Sequence, residues 1–169
     1  DNTINARADY FEKREQDPGF GGFHRIEFGL FKQSSVDGLG PVVQKLSDDV
    51  TRLKQELLAQ SIAPEQLTSI VIRNLLSLAE NRSKGEEERY SHTDLNGFAA
   101  NLEGTSKIID LLRPLLAKTH ADLQQRLDSA VSNLDSTFNG LKSADGYRPY
   151  DQVDAAARQP IASQAKALA

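Results

Sequence analysis

Apolar residues recur along this chain at alternating spacings of three and four, the period of a helix with one buried face. Val43, Leu46, Val50, Leu53 and Leu57 form the first such stripe. Gly38, Gly40 and Pro41 precede it and suit a loop followed by a helix start. A second helix is predicted from near Pro64, with Leu67, Val71, Leu75 and Leu78 on one face, ending in the polar stretch Asn81 to Gly85. A third runs from about Asp94 through Phe98, Leu102, Thr105, Ile108, Ile109, Leu112 and Leu116, and Pro114 is expected to kink or tighten its last turns. The fourth carries Leu123, Leu127, Val131, Leu134, Phe138 and Leu141, punctuated by Gly140 and Asp145-Gly146. Tyr147 to Tyr150 reads as a loop, and Asp151 to Ala169 as a final Ala-rich helix. No strand pattern or repeat competes. The expected architecture is all-α, a helix bundle of the four-helix-bundle type forming a single domain over residues 1–169.

Composition changes this picture little but narrows function. The 169 residues suffice for one hydrophobic core, and 38% hydrophobic with 26% charged residues is ordinary for a globular chain. Lys and Arg number 20 against 24 Asp and Glu, a formal net charge of -4 with no basic block. That balance lacks the electrostatic footprint of nucleic-acid binding. No apolar run approaches the ~20 residues of a membrane-spanning helix, so insertion in a bilayer is not expected. Cysteine is absent, which removes disulfides and thiolate metal sites. The chain opens Asp1-Asn2-Thr3 and has no methionine. The expectation is therefore that a signal peptide or longer segment has been removed.

The chemistry concentrates in Gly21 to Phe31. Placed on a helix over about residues 20–33, Phe20, Phe23, Glu27, Leu30 and Phe31 fall along one face, with His24 one turn before Glu27. A core-facing stripe then carries a carboxylate and an imidazole. A buried carboxylate needs a cation, a metal ion or a proton as partner. One reading is an HxxE metal pair, with nitrogen from His24 and oxygen from Glu27, a set that suits iron, zinc or copper. The other is a local His24–Glu27 ion pair at the edge of a core, helped by Arg25. On spacing alone the ion pair is the commoner outcome. HxxE is not HExxH, so zincin peptidase chemistry is not implied.

The run Glu86-Glu87-Glu88 before the third helix offers further carboxylates, or a solvated helix start that complements the helix dipole. Thr93 or Asp94 is the predicted N-cap of that helix. His92 and His120 read as polar surface. No phosphate loop, nucleophile elbow or triad is present in the sequence.

Gly22-Phe23-His24-Arg25-Ile26-Glu27 resembles the G-(F/W)-H-R-(I/L)-E helix of imelysin-like proteins of the EfeO and EfeM kind. The stretch from Gly85 to Leu95, continuing through Phe98 to Asn101, is similar to their second signature, and Asp145 to Asp151 to their late loop. Three landmarks in the same order are far more specific than HxxE and favour the metal reading. The resemblance implies a periplasmic helix-bundle protein of a bacterial iron-uptake system, acting beside a membrane iron permease and a haem peroxidase-like protein. It implies metal ligands at His24 and Glu27, joined by Glu87 first and Glu86 second. The ion would be iron foremost, with copper or zinc as alternatives. It implies a binding protein rather than an enzyme. An imelysin-type metallopeptidase and a structural interaction module are the rival functions. Relatives carry upstream helices that add acidic ligands, and an acidic pair where this chain has Asn5 and Ala8, leaving Asp9.

Overall fold

The computed structural model describes residues 3–169, the side chain of Thr119 excepted; the opening Asp1-Asn2 lies outside the described residues. Six α-helices are formed: α1 (Gly22–Glu27), α2 (Leu39–Leu58), α3 (Pro64–Glu80), α4 (Asp94–Thr119), α5 (Ala121–Asn139) and α6 (Ala155–Leu168). A two-residue antiparallel ladder, β1 (Lys142–Ser143) with β2 (Gly146–Tyr147), is the one sheet among the described residues. It closes the turn at Asp145-Gly146 that the sequence marks as punctuation. The all-α expectation is met. Contacts divide the chain into two compact units, Asp1–Ser61 and Ile62–Ala169.

The second unit is a four-helix bundle. Its helices form a closed ring of neighbours, with α3 against α4 and α6, and α5 against α4 and α6. The core follows the predicted period. On α4, Leu95, Phe98, Leu102, Thr105 and Ile109 are buried, successive steps of three and four. Leu75 and Leu78 of α3, Leu134 and Phe138 of α5, and Ile161 and Ala165 of α6 meet them. Pro64 opens α3 at a position where a missing N–H costs nothing, and Gln66 Oε1 accepts the Ala63 N–H at 2.9 Å. A single residue, His120, separates α4 from α5, and α4 continues through Pro114. Arg113 then staples the two helices, reaching both oxygens of Asp128 at 2.9 Å. The last helix starts later than predicted. A 3-10 turn over Tyr150–Gln152 intervenes, and the Asp154 carboxylate caps α6 by accepting the Ala157 N–H at 2.8 Å.

The first unit has a smaller core of Ala6, Ala8, Phe20, Leu39 and Leu46. Phe20 packs tilted against Phe11 and edge-on against Phe28. Here the sequence expectation fails in two places. On α2 the buried line is Leu39, Leu46 and Asp49, whereas Val43, Val50, Leu53 and Leu57 are exposed. Asp49 stays charged on that buried line because Lys45 and Arg52 reach it at 2.7 and 2.8 Å; the Lys45 hydrogen bond, foremost, holds its carboxyl below the usual range. On α1 the predicted stripe also breaks: Phe23, Leu30 and Phe31 are exposed. The helix ends at Glu27 and passes into a π-turn over Phe28–Lys32, and this wider turn rotates the following side chains off the earlier face.

Candidate metal centre

Phe20, His24 and Glu27 are the buried line at the start of this unit, spaced by four and three. Phe20 precedes the helix, and Gly22 turns the chain into it with φ +68°. A Cβ at Gly22 would collide with the Thr3 and Ile4 carbonyls, and Phe23 N–H bonds that same Ile4 oxygen at 2.9 Å. Only glycine permits this close crossing, which sets where α1 begins and therefore which side chains face inward.

His24 is 3% exposed and Glu27 7%. The His24 Nδ1 and Glu27 Oε2 atoms stand 2.9 Å apart. An ionised carboxylate can only accept, so Nδ1 carries the proton of this bond, and in a neutral imidazole Nε2 then holds the lone pair. Nε2 is buried and has no hydrogen-bond partner. An unsatisfied buried polar atom costs ~1–3 kcal/mol, and a neutral imidazole nitrogen is a common metal ligand. A carboxylate that fixes ring orientation through the opposite nitrogen is the usual support of a metal-binding histidine. Arg25 stands over the Phe28 ring, 5.8 Å from its centroid, and reaches Gln33 Oε1 at 3.4 Å.

In the second unit, Glu86 is exposed and Glu87 partly buried, the latter 3.5 Å from Arg82. Thr93 is the N-cap of α4 by position but its side chain caps nothing. Asp94, 1% exposed, accepts the N–H groups of Glu87 at 3.2 Å and Glu88 at 3.3 Å through Oδ1. His92 is half-exposed with φ +56°, its Nε2 4.0 Å from Asp151. Near the chain start, Ala8, in place of a relative's carboxylate, is buried as an apolar residue, and Asp9 lies 3.7 Å from Arg14 on the surface.

The imelysin family model, of the peptidase M75 group, matches residues 1–169. The chain belongs to the imelysin family. It is 35% identical over 169 residues to the iron uptake system component EfeO of Escherichia coli K12, covering 100% of this chain and 45% of that protein. The corresponding component of Shigella boydii serotype 4 (strain Sb227) is 36% identical over 173 residues, with 100% and 46% covered. The chain thus spans less than half the length of these relatives.

The imelysin landmarks divide into side chains with open chemistry and side chains that hold the fold. Gly85, φ +81°, belongs to the second kind: a Cβ there would lie 2.5 Å from Tyr150 Cδ1. Tyr150 donates its hydroxyl to the Ser83 carbonyl at 2.6 Å and its N–H to the His92 carbonyl at 2.8 Å. Arg158 covers the Tyr150 ring at 4.4 Å and donates to the carbonyls of Tyr150, Val153 and Lys84. The late loop of this imelysin chain is therefore a lock on the 81–93 segment. Sequence reasoning read Tyr150 as a loop residue and gave Arg158 and Asp94 no such role. The available signals are the late-loop landmark itself and a large aromatic flanked by Pro149 and Asp151.

Proposed function

We propose that this chain binds a metal ion at His24 and Glu27, with iron as the cargo of a bacterial uptake system. The observation that carries the reading is the buried imidazole whose Nδ1 is tied to a carboxylate and whose Nε2 has no partner. His24 supplies Nε2 to the ion. Glu27 keeps the ring in the required tautomer and offsets the ion's charge in a site of low dielectric. One imidazole oriented by a carboxylate binds weakly alone, and tight sites use three or four donors. The family resemblance implies further donors in the 86–88 run, Glu87 first and Glu86 second. Copper and zinc share the chemistry of this donor set.

The proposal is of a binding protein rather than a peptidase. Glu27, the carboxylate that would have to serve as base, already accepts the His24 ring proton. The iron-uptake names of the relatives support a role in iron uptake, and the family resemblance implies a periplasmic carrier working beside a membrane permease and a haem peroxidase-like protein.

Calorimetric titration of chelator-treated protein with Fe(II) under anaerobic conditions, and with Zn(II), tests this. Saturable binding is expected in the unaltered chain and lost in His24→Ala. Glu27→Gln, which leaves a neutral acceptor for Nδ1–H, should weaken binding about 10–100-fold. Unchanged affinity in His24→Ala, with helicity intact, contradicts the assignment.

A further inference from the structure

We infer that Asp94 is a positioning residue, which presets the backbone of the 86–88 turn for cation binding by Glu87, whose carboxylate lies 3.5 Å from Arg82; the inference rests on the metal-binding reading above. Asp94 is the first residue of α4 and 1% exposed. Its Oδ1 takes two consecutive backbone N–H groups, those of Glu87 and Glu88, at 3.2 and 3.3 Å. Its Oδ2 is buried with no hydrogen-bond partner. Burying a carboxylate on two amide bonds, beside one unsatisfied oxygen, is costly for a residue that serves only as packing, since an apolar side chain of that volume would fill the space without the penalty. What the carboxylate adds is a fixed backbone at two successive glutamates.

A second restraint acts on the same turn. The His92 N–H bonds the Glu88 carbonyl at 2.8 Å, and the His92 carbonyl takes the Tyr150 N–H at 2.8 Å. His92 adopts the left-handed conformation, φ +56°, to make both bonds. The turn is thus pinned from its N–H side by Asp94 and from its carbonyl side by His92. A turn held in this way has lost its conformational freedom before an ion arrives, so less is lost on binding. Asp94 acts through Glu87, not on the ion.

Two readouts test this. Amide hydrogen exchange at Glu87 and Glu88 in metal-free protein reports the clamp, and Zn(II) calorimetry reports its consequence. Asp94→Leu, which fills the space without an acceptor, should speed exchange at both amides at least tenfold and weaken Zn(II) binding about 10–100-fold. Asp94→Asn keeps a neutral acceptor and should restore both to near the unaltered values, with helicity by circular dichroism as the folding check. Should the leucine variant not fold, the asparagine variant decides alone: near-normal exchange and binding support the inference. Asp94→Asn losing affinity while folded overturns it, because charge or direct ligation would then be what matters. Unchanged exchange in folded Asp94→Leu also overturns it, as does faster exchange with unchanged affinity. If the unaltered protein fails to bind Zn(II) and Fe(II), the metal reading itself falls and this inference with it. If binding persists but Glu87→Ala is without effect, only this inference falls.

Discussion

At the scale of single residues, the informative feature is an imidazole with its two nitrogens in different situations. The HxxE spacing made His24 and Glu27 neighbours in any helical reading. It could not tell that Nδ1 is engaged and Nε2 is not, because that depends on ring orientation and on burial set by the Gly22 crossing. Tyr150 makes a second residue-scale point. Burial, foremost, pushes its phenol up from 10 to about 12; Asp94 adds to the shift and Arg158 opposes it. A phenol raised in the folded state favours folding below its ordinary value and loses that contribution as pH rises through about 12. Ultraviolet titration of the four tyrosines should therefore show one late-ionising group, absent in Tyr150→Phe. A single ordinary transition in both proteins would contradict the burial of this ring as the fold requires it.

At the scale of elements, the sequence was read correctly where a helix buries one uniform face. The α3, α4 and α5 stripes hold because each packs between two neighbours, so the apolar period and the buried period coincide. It was misread where a helix is short or interrupted. After Glu27 the π-turn shifts the register, and Phe31, predicted inward, is 56% exposed. On α2 the buried line runs through Asp49, a residue no hydrophobicity argument selects, held there by Lys45 and Arg52. The contrast is measurable by denaturant unfolding. Phe138→Ala, at a fully buried bundle position, should cost about 3–5 kcal/mol. Phe31→Ala should cost within about 0.5 kcal/mol. Equal effects would mean that the π-turn assignment is wrong.

At the scale of the whole molecule, the class, the helix count of the bundle and the three family landmarks were legible, since all are local patterns in order along the chain. The compact units Asp1–Ser61 and Ile62–Ala169 depend on which helices contact, which no local pattern records, and their boundary falls in the short connection between α2 and α3. Ile62–Ala169 holds a closed ring of four helices with its own core. Expressed alone, residues 62–169 should therefore retain helical circular dichroism and a cooperative unfolding transition; a molten, non-cooperative fragment would contradict that independence. Among the described residues no helix is long and apolar enough to cross a membrane. The relatives matched are more than twice as long as this chain.

The central claim reduces to one atom, Nε2 of His24. Ring nitrogen correlation spectra of 15N-labelled protein, recorded before and after one equivalent of Zn(II), observe it directly, and with three histidines in the chain His24→Ala assigns the signal. His24 Nε2 alone should move to the position of a metal-bound nitrogen, while Nδ1 stays protonated against Glu27. Zn(II) binding that leaves the His24 ring signals unmoved would contradict it.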